Sequence, residues 1–124
     1  MRPSAVVAAV SAGGVLGALA RYGAGVLWPS PWTTLAINAV GCLTMGCLMV
    51  LLTEVRTPHP LVRPFLGTGV LGGFTTFSAY TADFQRMTGT DPVAAVGYLL
   101  GTLVAALAAV WVGTAITRRM AVPR

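Results

Sequence analysis

The sequence predicts an all-α integral membrane protein of four spans whose third helix is interrupted. Three observations predict it. Of the 124 residues, 56% are hydrophobic and only 9% are charged, with a mean hydropathy of +0.79. A soluble domain carries about 25% charged residues, so this chain has too little polar surface to face water on all sides. Apolar stretches long enough to cross a bilayer recur along it, each about 20 residues or more. One of them holds Leu71-Gly-Gly-Phe-Thr-Thr-Phe-Ser-Ala-Tyr80 at its centre, a poor composition for an unbroken helix. Backbone at membrane depth must be hydrogen-bonded, so a break survives only where protein or a polar cavity covers it. Interrupted helices of this kind often mark ion sites.

The length fits one transmembrane domain over residues 1–124, with spans at about 4–27, 33–53, 61–87 and 92–117. Span one follows Arg2. An N-terminal basic residue before an apolar run is compatible with a signal peptide, but this run is long for one and further spans follow. Trp28-Pro-Ser-Pro-Trp32 separates spans one and two. The Glu54 to Pro60 joint stops span two with its prolines. Span three, about Leu61 to Met87, carries the break. Asp91 then caps span four, with Pro92 at its first helical position. Trp28, Trp32 and Trp111 lie near span ends, where indole rings favour the membrane interface.

All eight basic residues are arginines and the net charge is +5. They are dispersed around apolar spans, which argues for membrane topology rather than nucleic-acid binding. With four spans, one side holds Arg2, Arg56, Arg63, Arg118, Arg119 and Arg124, and the other at most Arg21 and Arg86. That bias predicts a multi-pass plasma-membrane protein with both termini cytoplasmic. The basic C-terminal tail also suits anionic lipid. Cys42 and Cys47, five apart on one helix, point in different directions and read as buried small apolar residues rather than a disulfide or metal pair.

Enzyme signatures are missing. The chain has no lysine for a phosphate-binding loop, His59 lies alone in a Pro-rich loop, and Glu54, Asp83 and Asp91 lie near span ends without forming a central pair. Gly13 and Gly17, and likewise Gly97 and Gly101, are spaced for close helix packing. Asn38 in span two is a membrane-buried amide and needs partners. It either bridges helices, for instance to backbone freed at the break, or lines a pore as a donor. Arg21 is the one full charge well inside a span. It either snorkels or forms a cationic vestibule that concentrates an anion. At the break, Thr75, Thr76 and Ser78 supply hydroxyls, and Gly72 and Gly73 permit unusual backbone angles. The freed carbonyls suit a small hard cation, and the freed N–H groups suit an anion. Phe77 and Tyr80, three apart, share a face. They either pack or offer positive ring edges to an anion.

Gly13-Gly-Val-Leu-Gly-Ala-Leu-Ala-Arg-Tyr22, Thr34-Leu-Ala-Ile-Asn-Ala-Val-Gly41 and Gly69-Val-Leu-Gly-Gly-Phe-Thr-Thr-Phe-Ser78 together resemble the CrcB/Fluc fluoride channels. The resemblance covers nearly the whole chain. It implies an antiparallel dimer with two fluoride pores and a structural sodium ion at the dimer centre, held by backbone carbonyls of Gly72 and Thr75. It implies that Phe77 and Tyr80 line the pores by ring edges, that Asn38 donates to fluoride or orients the pore, and that Arg21 sits at a vestibule. It also implies that Ser78 belongs to a polar track, whose other wall Tyr98 and Thr102 resemble. Tyr80 stands where the family usually has a second phenylalanine, and Ala79 where a hydroxyl residue is common. The first departure predicts that one of the two pores is altered or inactive. The arginine bias predicts pairing with an oppositely oriented paralogue rather than with a second copy.

Two other classes compete. A small proton-coupled multidrug exporter needs a carboxylate deep in span one, and there is none. A non-transporting scaffold subunit accounts for the glycines but not for Asn38, Arg21 and the interrupted span together.

Overall fold

The computed structural model describes residues 2–121, so Arg124, counted above in the charge bias, lies outside the described residues. Its described residues form helices and connecting turns. Helix α1 spans Pro3–Leu27 and α2 spans Pro31–Val50, and the wider π-type turns of Leu51–Val55 extend α2. A second π-helical segment, Arg63–Leu71, runs into the short α3, Gly72–Phe74. Residues 75–77 are not helical. Helix α4 then runs Ser78–Thr88 and α5 runs Pro92–Ala121. Three helices, Pro3–Leu27, Pro31–Val55 and Pro92–Ala121, are long and apolar enough to cross a membrane.

Local chemistry sets the helix starts. Proline occupies the first turn of α1 and α2, where a missing N–H costs nothing. The Ser30 hydroxyl accepts from Trp32 N–H at 3.2 Å. The Asp91 carboxylate accepts from Ala94 N–H at 3.1 Å and caps α5. Trp28, Trp32 and Trp111 are all exposed on the single chain. Where α2 and α5 end, Glu54 holds Arg118 through two hydrogen bonds of 2.8 and 3.1 Å.

The helices pack in two main pairs, α2 on α5, and α1 on the Arg63–Leu71 segment and α3. Backbone contact at glycine makes both possible. A Cβ on Gly17 would lie 2.7 Å from Phe74 N, one on Gly13 would lie 2.8 Å from Val70 N, and one on Gly73 would lie 2.9 Å from Gly14 Cα. On the other seam, a Cβ on Gly46 would lie 2.9 Å from Thr114 N. Close backbone approach of this kind replaces the hydrophobic drive that lipid removes.

Two expectations are corrected here. Among the described residues no glycine has a positive φ, so Gly72 and Gly73 do not supply unusual angles. Both are helical, and the chain leaves the helix at Thr75, with φ −75° and ψ 154°. Gly73 is needed because α1 backbone lies against it. Gly97 and Gly101 make no close packing contact within the chain, since a Cβ on either would meet nothing within 4 Å. They lie on the outward face of α5, whose inward face is Ala95, Tyr98, Thr102 and Gly113.

These contacts predict opposite outcomes for two similar substitutions. Gly17→Ala puts a methyl into Phe74 backbone and lowers the melting temperature of the purified protein by several degrees. Gly97→Ala leaves it unchanged or slightly higher, because alanine favours helix by about 1 kcal/mol. Thermal unfolding in detergent checks both.

Candidate functional site

The break at residues 75–77 frees backbone groups, and their partners define the site. Asn38 lies on α2 and is 8% exposed. Its amide nitrogen donates to Thr76 carbonyl oxygen at 2.9 Å, and its amide oxygen accepts from Thr76 N–H at 2.8 Å. One side chain thus satisfies both polar groups of one peptide residue. One turn along α2, Gly41 leaves room for the Thr75 side chain. The Asn38 to Gly41 spacing therefore reads as an amide that clamps the break and a gap that receives it.

The rest of the break closes on itself. Thr75 N–H and hydroxyl both donate to Leu71 carbonyl, at 3.0 Å and 2.9 Å. The Thr76 hydroxyl accepts from Ala79 N–H at 3.1 Å, which caps α4, and lies 3.3 Å from the Ser78 hydroxyl. Arg21, on α1, donates from Nε to Gly73 carbonyl at 3.2 Å. Its charge thus sits at the C-terminal, negative end of α3. Among the described residues no donor reaches the carbonyl oxygens of Gly72 or Thr75.

Two adjoining clefts open beside the break, at the end of the bundle where α1, α2 and α4 meet. One, of about 450 Å³, is lined by Arg21, Ser30, Thr33, Thr34 and Thr76, among others. The other, of about 640 Å³, is lined by Ser30, Thr34, Asp83 and Arg86, among others. Thr34 and Ser30 belong to both. The walls are largely apolar, with Val26, Ile37, Ala79 and Met87 among them, and their polar groups are hydroxyls and guanidinium groups with one carboxylate.

That carboxylate, Asp83, is the group the sequence reading passed over. It lies near a span end, yet it is 8% exposed. It accepts from the Thr34 hydroxyl at 2.8 Å, from the Tyr98 hydroxyl at 3.3 Å and from Arg86. A buried carboxylate must be paired and hydrogen-bonded, and these three donors tie α2, α4 and α5 together. A signal existed. Asp83 lies inside the apolar run, three residues before Arg86 on one helix face, and a charge inside a span is a functional-site hypothesis by default.

The remaining candidates fall in one neighbourhood. Tyr98 is fully buried and Thr102, one turn later, is 3% exposed with its hydroxyl unpartnered. Phe77 is 76% exposed and Tyr80 7%, and their rings meet edge to face at 5.9 Å. Asn38, Thr76, Ser78 and the Phe77–Tyr80 pair meet at the break. Arg21 approaches it from α1, and Tyr98 packs on Tyr80 from α5, with Thr102 one turn further along the same helix. Among the described residues no three His, Cys, Asp or Glu side chains gather as a metal site, so a cation here would depend on carbonyl oxygens. Amide, hydroxyl, guanidinium and ring-edge groups gathered near the break can replace part of the water around a small anion.

Two outcomes follow from this geometry. Asn38→Ala strands two backbone groups, each worth about 1–3 kcal/mol when buried without a partner, and the variant unfolds at clearly lower temperature. Asp83→Ala, which leaves the Thr34 and Tyr98 hydroxyls without their acceptor and frees Arg86 to solvent, destabilises more than Tyr98→Phe, which removes one long bond. Thermal unfolding of the three variants in one detergent ranks them.

Comparison with known proteins identifies the family. The family described as CrcB-like protein, Camphor Resistance (CrcB), matches residues 8–114. The fluoride-specific ion channel FluC 1 of Streptomyces coelicolor is 52% identical over 93% of this chain and 79% of its own length. The fluoride-specific ion channel FluC 2 of Nocardia farcinica is 48% identical over 92% of this chain and 86% of its own length. The fluoride-specific ion channel FluC of Paracoccus denitrificans is 47% identical over 88% of this chain and 91% of its own length.

Proposed function

Because the chain belongs to the CrcB family, we propose that it is a fluoride-selective ion channel. It gives passive export of fluoride from the cytoplasm and so lowers its toxicity. The observation that carries this reading is the two-way bond between Asn38 and Thr76, which holds a break open beside a cleft that Arg21 and several hydroxyls line. In this reading the segment from Arg63 to Thr88 is the third of four crossings, interrupted at residues 75–77.

Fluoride is small and strongly hydrated, so leaving water is costly. Here Arg21 concentrates the anion at the vestibule. Hydroxyls of Ser78 and Thr102 and the ring edges of Phe77 and Tyr80 take over part of its shell. Asn38 shapes the path, because its oxygen and one amide hydrogen are committed to Thr76 and its second amide hydrogen is free to donate. Conduction needs contacts that are spread and individually weak. The thinly polar ring edges and single hydroxyls suit that, and a full charge at the narrowest point would not.

The carbonyls of Gly72 and Thr75 fit a structural sodium ion, since no donor among the described residues reaches them, whereas Gly73 carbonyl is taken by Arg21. Sodium would supply positive charge that holds facing breaks together. Two oxygens from one chain are too few for a hard cation, which takes about six or more in a protein cage. A second, antiparallel chain would bring the matching oxygens. The six-to-two arginine bias favours an oppositely oriented paralogue as that partner, with a second copy of this chain otherwise.

Fluoride efflux from loaded liposomes, followed with a fluoride electrode, tests the proposal. The chain, together with an oppositely oriented partner where one is needed, releases fluoride and not chloride. Efflux falls when sodium is replaced by a large organic cation. No fluoride release from either preparation would overturn it. A reporter on the C-terminus found equally on both membrane faces would sink the fixed orientation.

A further inference from the structure

Tyr80 differs from its neighbour Phe77 in more than a hydroxyl. The residue is 7% exposed, and Phe77 is 76% exposed. The rings meet edge to face, with centroids 5.9 Å apart and planes at 64°. Behind Tyr80, Tyr98 lies at 5.6 Å, and Tyr98 meets Trp32 at 5.7 Å with planes at 85°. Four rings thus form a ladder from the start of α2, through the core, to the exposed side of the break. The Tyr80 hydroxyl donates to the Leu99 backbone carbonyl on α5. A benzene ring alone would keep the stacking but lose this tie. The hydroxyl is also spent, because its one proton points at helix backbone and not into the cleft.

We propose that Tyr80 is a positioning residue. Its bond to Leu99 fixes the axis of one ring of the pair, so that Phe77 is the ring of the two that can swing beside the ion path. The tie crosses from α4 to α5, and so it also sets how far the N-terminal turn of α4 stands from α5. The functional part rests on the channel reading above. The pinning is a property of the folded chain and is tested separately. A neutral buried hydrogen bond holds a side chain in place by about fivefold in population.

The experiment pairs a structural readout with flux. Fluorine NMR is recorded with a 3-fluorotyrosine placed at position 80, and again with a 3-fluorophenylalanine there. The tyrosine form shows one side-chain rotamer, and the form without hydroxyl populates a second rotamer about fivefold more. Equal populations in the two forms overturn the pin. In liposomes, Tyr80→Phe raises initial fluoride efflux about fivefold, because the freed ring yields to the ion. A p-aminophenylalanine at position 80, which keeps a donor at the same place, returns the rate toward that of the native chain. That rescue separates positioning from a loss of stability. If the rotamers change and the efflux of Tyr80→Phe stays within about twofold of native, the positioning role is overturned. If the native chain conducts nothing, the channel reading falls, and the rotamer comparison still decides the pin.

Discussion

A helix broken inside an apolar bundle persists only if its freed N–H and C=O groups have partners, and Asn38 is what meets that demand here. It donates to one side of Thr76 and accepts from the other, as a neighbouring strand would. No apolar residue can do this, and an aspartate would lack the donor. Once Thr76 is held, its hydroxyl is placed to cap α4 and Thr75 is placed to close α3 onto Leu71. The break is therefore a defined structure with a fixed direction change, and the chain on either side of it is helical.

The glycines follow from the same constraint. For Asn38 to reach the break, α2 must approach it closely, and Gly41 gives the space. For Arg21 to reach Gly73 carbonyl, α1 must lie directly on α3, and Gly13, Gly17 and Gly73 allow backbone against backbone. Arg21 has a double consequence. It neutralises the carbonyl end of α3, and it brings positive charge to a cleft wall where an anion would pass. At the far side of the same clefts, Asp83 is held by Thr34, Tyr98 and Arg86. The carboxylate is bonded on all sides, which limits the repulsion it exerts on an anion in the cleft.

Much of this was legible in order of increasing range. Composition alone required a membrane protein, because 9% charged residues cannot cover a soluble surface. The Gly-Gly-Phe-Thr-Thr-Phe-Ser run marked the break, and burial of an amide in lipid required Asn38 to have partners, with freed backbone among the candidates. Asp83 escaped notice because its burial depends on which face of α4 meets α5. That in turn depends on the bend at residues 75–77, and no periodicity encodes it. The two glycine pairs carry the same spacing, yet Gly13 and Gly17 are packed while Gly97 and Gly101 face outward. Spacing states that a close approach is possible and says nothing of where the neighbour is.

The sequence by itself determined the membrane class, the position of the break and the residue types around it, since these follow from transfer energies and local backbone preferences. Only the tertiary structure decided the partners: Thr76 for Asn38, Gly73 carbonyl for Arg21, Leu99 carbonyl for Tyr80 and three donors for Asp83. Each of these bonds joins segments that are distant in the chain, across 15 to 52 residues, apart from the local pair of Arg86 with Asp83. Hydrogen-bond geometry at that range is set by how helices pack, which one residue's chemistry demands but cannot specify.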